Sequence, residues 1–287
     1  MKDNIASMIS SAVSVFESGF YKLMSDEALR VALEPAVKSM FFPVRTLHND
    51  YYMTRIRINS KNDSYQPWEM SYKPQAFNTT HQRASTPNKT MFYASSCERR
   101  DDLGRPFTDF EFGIIMALLE TIPELRNECE VEYGGKSEFP KIRASRDFEY
   151  KVVTSTWKVI RNISLPQVSP INFYDHEYSN YQMTKVLYEN YFMEFPEQRE
   201  CTLALINILS KEFSKPVSNE SQYKISAIVS EIIIERGFNG VCFPSIRGGG
   251  AGINFAILPR SIDSGDIEYV GKMDITVNNS NRELQIY

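Results

Sequence analysis

The stretch GFNGVCFPSIRGGGAGINFAILP, residues 237–259, decides how this chain folds. It holds two short apolar runs, 241–243 and 253–258, each suited to a buried strand. Between them stand Ser245, Arg247 and a run of glycines broken only by Ala251. Glycine permits positive φ and close backbone approach, so such a loop can bring amides and a serine hydroxyl up to a ligand. The plainer alternative is a flexible hairpin loop. No Lys-Ser or Lys-Thr follows the glycines, so this is not a Walker-type phosphate loop.

Working outward, the segment before this loop is helical. Ile225, Ile228, Val229, Ile232 and Ile233 share one face over 222–236, and Gly237 is placed to stop that helix. A further helix is expected over 203–213, whereas 174–195 is tyrosine-rich and shows no clear pattern. Strand character returns at 150–163, at 91–95 and at 51–58, where Thr54, Ile56 and Ile58 alternate with Arg55 and Arg57. Two arginines on one strand face are usually the solvated side, but planar, bidentate guanidinium groups are also what a pyrophosphate clamp needs.

Between these strands lies a short, strongly apolar helix over 110–121, closed by Pro123. It carries Glu111 in its first turn, where the helix dipole favours an acid, and Glu120 in its last, where it does not. Residues 97–109 read as a charged loop, 124–150 as a polar surface connection with Gly134-Gly135, and 269–277 as an edge strand. The first forty residues read as two helices, the second capped by Ser25. They are expected to pack on the main domain or to mediate assembly. The domain reading is a helical N-terminal extension over 1–45 and one mixed α+β domain over 46–287.

Composition sets the outer limits. With 287 residues, 42% hydrophobic and 24% charged, the chain can bury a substantial core. The net charge of −4 leaves no electrostatic footprint for nucleic acid. No run approaches a membrane span, and the N-terminus lacks a signal-peptide pattern. Cys97, Cys129, Cys201 and Cys242 lie far apart and read as reduced thiols of a cytoplasmic protein. His48, His81 and His176 are scattered singly, so no metal site is expected.

Three blocks together resemble the RES-domain family, named for its Arg, Glu and Ser positions. The first is Tyr52-Met-Thr-Arg55-Ile-Arg57, similar to the family's Tyr-Arg-x-Arg opening. The second runs from Met70 through Arg83-Ala-Ser-Thr-Pro87 to Tyr93-Ala-Ser, with Glu120 after an apolar helix. The third is the 237–259 stretch, like the family's Gly-x-x-Gly…Pro-Ser…Gly-x-Asn block. Departures are Gln82-Arg83-Ala84-Ser85 where the family often has Gly-Arg-x-Asn, and a longer interval from Tyr93 to Glu120 that leaves Glu111 as a rival.

The resemblance implies an ADP-ribosyltransferase-like β core flanked by helices. It also implies NAD⁺ as substrate, with no resident cofactor, destroyed by hydrolysis or phosphorolysis in a toxin paired with an antitoxin protein. Inorganic phosphate belongs to the same expectation, and a homo-oligomer is a further possible partner. Cleaving the nicotinamide–ribose bond passes through an oxocarbenium-like transition state. Arg55, Arg57 or Arg83 would hold the pyrophosphate, Tyr93 would stack on nicotinamide or ribose, and Glu120 would face the developing charge. Ser245 and Asn254 would hydrogen-bond the substrate. The competing expectations are a protein ADP-ribosyltransferase and a non-catalytic nucleotide-binding or regulatory module of the same fold.

Overall fold

The computed structural model describes residues 2–60, 65–101, 105–132, 141–169, 179–215, 220–245, 247–248, 251–280 and 283–287. Gly104, Gly134, Gly135, His176, Ile246, Gly249 and Gly250 lie outside them. The chain is mixed α+β with a large antiparallel sheet. Its helices are α1 (Lys2–Glu17), α2 (Asp26–Ser39), α3 (Phe110–Thr121), α4 (Pro123–Glu128), α5 (Ser179–Glu194), α6 (Arg199–Ser214), α7 (Lys224–Ile234) and α8 (Arg260–Asp263). The first strands are β1 (Val44–Leu47), β2 (Tyr52–Ile58), β3 (Phe92–Ser96), β4 (Glu98–Arg100), β5 (Pro106–Thr108), β6 (Cys129–Glu132) and β7 (Lys141–Ala144). Then come β8 (Glu149–Val159), β9 (Ile163–Pro166), β10 (Gly240–Ser245), β11 (Gly252–Ile257), β12 (Ile267–Ser280) and β13 (Glu283–Ile286).

These elements fall into two compact units, each assembled from separate chain segments. The first comprises Met1–Thr46, Pro74–Met91 and Ser164–Phe243. Here α1 packs on α6, and α2 on α7, burying Ile9, Leu29, Leu33, Val37, Leu209 and Ile232. The N-terminal helices are therefore built into a unit with α6 and α7, which a boundary at residue 45 does not describe. The Ser25 hydroxyl accepts from the Ala28 amide at 3.2 Å, satisfying one of the orphan donors at the start of α2. Gly237, at φ +96°, ends α7 in the left-handed region. A buried carboxylate clasps this unit together: Glu231 on α7 accepts from the Thr86 amide at 3.1 Å, from the Thr86 hydroxyl, and from Lys89 Nζ at 2.6 Å.

The second unit comprises Leu47–Lys73, Phe92–Ile163 and Pro244–Tyr287. Its sheet runs β11-β3-β2-β8-β12-β13, each strand antiparallel to the next. Helix α3 covers one face, its Phe112, Ile115, Met116 and Leu119 packing with Ile56, Val152, Ile275 and Val277. The opposite face carries a ladder of rings, with Phe92 and Trp157 at 4.8 Å and Trp157 and Tyr269 at 5.5 Å.

Several connections differ from their sequence-based expectations. Residues 97–109 are not simply loop, because β4 and β5 pair as an antiparallel hairpin. Strands as short as Glu98-Arg99-Arg100 carry too few apolar residues for alternation to show. Likewise 124–150 contains most of α4 and the β6–β7 pair, and residues 179–194 of the tyrosine-rich segment form α5. Strand β12 is not an edge strand, since it lies between β8 and β13. Its polar positions, such as Glu268 and Asp274, face solvent across the sheet's surface, which an unpaired edge mimics in sequence.

The cysteines are free, and two are deeply buried. Burial pushes the Cys97 and Cys242 thiols up to about 12 from an ordinary 9.0, with the Thr54 hydroxyl partly offsetting this at Cys97. Both should resist iodoacetamide in the folded protein at about pH 8 and react once it is unfolded in guanidinium. Above the ordinary value the unfolded thiols give up their protons while the folded ones keep theirs. Stability present below pH 9.0 should therefore decline as pH rises toward about 12. Rapid labelling of native Cys97, read by peptide mass mapping, would contradict this.

Candidate functional site

Helix α3 is the arm that carries the site. Its N-terminus is pinned by Asp109, which accepts from the Phe112 amide at 3.0 Å and from Arg99 Nη1 at 2.9 Å. Its C-terminal turn presents Glu120, a carboxylate at the negative end of the helix dipole. Three donors compensate for that placement. Ser245 Oγ donates to Glu120 Oε1 at 3.0 Å, Asn254 Nδ2 to the same oxygen at 2.9 Å, and Arg247 Nη1 to Oε2 at 2.5 Å.

Each donor is itself oriented. Ser95 Oγ donates to Asn254 Oδ1 at 2.9 Å, which leaves the amide nitrogen aimed at Glu120. Ser95 and Asn254 are direct cross-strand partners on β3 and β11. The Gly248 amide donates to Ser245 Oγ at 3.2 Å, turning the hydroxyl proton toward the carboxylate. The result is one carboxylate in one rotamer, held from β10, the glycine loop and β11.

The structure thus brings together Glu120, Ser245 and Asn254, while Glu111 points outward, exposed in the first turn of α3. Ser245 and Asn254 are 0% and 5% exposed, and both spend a donor on the carboxylate. Glu120 and Arg247 keep 19% and 11% of their side-chain surface open and form the accessible part of the cluster.

Gly248 and Gly252 act differently from the expectation. A Cβ on Gly252 would lie 2.6 Å from Met116 Sδ and 2.7 Å from its Cγ, and the Gly248 amide is spent on Ser245. These positions are small so that α3 can seat Met116, fully buried, against the loop. Gly252→Ala should therefore overpack this contact and cost about 1–3 kcal/mol. A denaturation midpoint equal to wild type would show that the helix has room to shift.

The remaining expected residues are held by other contacts. Thr54 pairs directly with Ser95, so Arg55 and Arg57, which alternate with Thr54, project from the opposite face of the sheet to Ser95 and Asn254. Arg55 Nη1 donates to the Tyr93 carbonyl at 2.6 Å, with its guanidinium 5.3 Å from the Phe92 ring centre; Arg57 Nη2 donates to the Ser71 carbonyl at 2.8 Å. Burial pushes Arg55 down to about 9, the Arg57 charge adding to the effect, and it remains a cation at neutral pH. Tyr93, two residues from Ser95, shares the Asn254 face by alternation and is half-buried. Arg83 stands in the first unit, where Nη1 donates to the Phe213 carbonyl at 2.6 Å and Nη2 to the Tyr223 hydroxyl at 3.2 Å. Its guanidinium also lies over the rings of Tyr223 and Phe243 at 5.2 and 5.6 Å.

Arg247 and Ser95 are the members that sequence reasoning did not assign. Arg247 was visible two residues after Ser245, but its partner lies 127 residues away in sequence.

No family model, curated protein or solved structure matches this chain. No helix among the described residues is long and apolar enough to cross a membrane.

Proposed function

We propose that this chain degrades NAD⁺ by cleaving the bond between nicotinamide and ribose, on an ADP-ribosyltransferase-like fold. The observation that supports this most is the fixed carboxylate of Glu120, partly open to solvent and braced by Ser245 and Asn254. In this reaction the C1′–N1 bond breaks with its electron pair going to the nicotinamide nitrogen. Positive charge moves onto the ribose, and an oxygen of water or inorganic phosphate then forms the new bond at C1′. Nicotinamide leaves neutral, so no general acid is required. What the reaction demands is a preorganised negative charge close to the ribose, where it is worth far more than in water. Glu120 is that charge, Ser245 and Asn254 hold its orientation, and Tyr93 offers a ring on the same sheet face. Such an activity would make the chain a toxin acting on the cytoplasmic NAD⁺ pool, restrained by an antitoxin protein.

One observation favours a non-catalytic module instead: Arg247 already neutralises Glu120. Incubating the purified chain with NAD⁺, with and without inorganic phosphate, and resolving the products by chromatography separates the possibilities. Free nicotinamide together with ADP-ribose, or with its phosphorylated form, is the expected result. Label transferred to protein would mean a transferase, and intact NAD⁺ a module without this activity.

A further inference from the structure

The ion pair between Arg247 and Glu120 sets a problem for any reaction that uses this carboxylate. Glu120 Oε1 takes two donors and Oε2 takes the guanidinium, so both oxygens of the carboxylate are engaged within the protein. A carboxylate paired in this way cannot give its full charge to a ribose cation. The two sides of the cluster are not equivalent, however. Ser245 and Asn254 are sealed in and belong to strands, whereas Arg247 is partly open and stands on the loop between β10 and β11. Of the three donors, the guanidinium alone is carried by a residue outside the strands.

What could draw it away is set by its chemistry. A guanidinium exchanges a carboxylate most readily for a group offering two or more anionic oxygens in matching geometry, which is a phosphate or diphosphate. Arg55 and Arg57 project from the other face of the sheet and do not compete for that part on the Asn254 face.

We infer that Arg247 is the diphosphate-recognising residue of the site: it pairs with Glu120 when the site is empty and transfers to the phosphates of an incoming nucleotide. The transfer releases Glu120 for the ribose. Binding of the phosphates and readiness of the carboxylate are thereby one event, and the site selects nicotinamide nucleotides over the nucleoside. This rests on the reading of the site as one that takes NAD⁺.

Two measurements on the full chain separate this inference from that reading. The first is calorimetry with inorganic pyrophosphate. Arg247→Ala should abolish binding, whereas Glu120→Gln should bind about tenfold more tightly than wild type, because the competing carboxylate is gone. Binding that is unchanged or weakened in Glu120→Gln overturns the exchange, whether or not Arg247→Ala folds well enough to be measured. The second is nicotinamide release from NAD⁺ and from nicotinamide riboside, which has no diphosphate. Arg247→Ala should narrow the ratio of kcat/KM for the two substrates by about ten- to a hundredfold. An equal fall for both would make Arg247 a prop for Glu120 and nothing more. Wild type that releases no nicotinamide at all overturns the enzymatic reading, while the pyrophosphate titration still decides the role of Arg247.

Discussion

Replacing Glu120 by glutamine should lower nicotinamide release from NAD⁺ at least about a hundredfold, the usual scale for losing one preorganised electrostatic group. From sequence alone, the same change would be expected to leave the melting temperature nearly untouched. The structure revises that second half. Asn254 is fixed as a donor by Ser95, so a glutamine amide can satisfy only one of its two orientations there, and Arg247 loses its counter-charge. A loss of about 1–3 kcal/mol should accompany the loss of activity. Activity must therefore be assayed below the melting temperature of both proteins. Full turnover by the variant under those conditions would remove Glu120 from the chemistry.

The second large effect is expected at Asp109, which touches no proposed substrate. Its carboxylate caps α3 with one oxygen and pairs with Arg99 through the other. Arg99 is 9% exposed and lies over the Phe112 ring at 5.5 Å, so its charge has little access to water. Asp109→Ala removes the cap, worth about 1 kcal/mol, and takes the carboxylate from a nearly buried guanidinium, which typically costs more. Together these predict a loss of about 2–4 kcal/mol. Asp109→Asn keeps a capping oxygen and should cost roughly half as much. Urea denaturation of the two variants gives the comparison, and a loss of only about 1 kcal/mol in Asp109→Ala would mean that the pair with Arg99 adds nothing.

Why some of this was legible in the sequence and some not follows from the distance over which each feature is determined. Helix α3 was legible almost to the residue, because an acid in the first turn, a continuous apolar run and Pro123 are all local signals. The strands either side of the glycine loop were legible for the same reason. Glu120 stood out because an acid at the wrong end of a helix dipole needs compensation, and Ser245 and Asn254 do compensate it. The donors' burial was not legible, since it depends on how α3 sits against the loop. The face of Arg55 and Arg57 was half legible: alternation put both on one side, but only the register of Thr54 with Ser95, and of Ser95 with Asn254, shows which side that is. The β4–β5 pair and the interleaved units left no periodic trace at all.

That interleaving has a consequence for how the chain is made. Ser95 must wait for Asn254, 159 residues later, and Thr86 for Glu231, 145 residues later, before either finds its partner. Closing loops of this length precedes the contacts that reward it, so neither unit can complete itself early during synthesis. Strands β2 and β3 leave the ribosome with unpaired edges and stay so until β8 and β11 follow. The newly made chain is thus exposed to edge-to-edge association until those partners emerge, and a chaperone that shields extended segments is the helper its topology calls for.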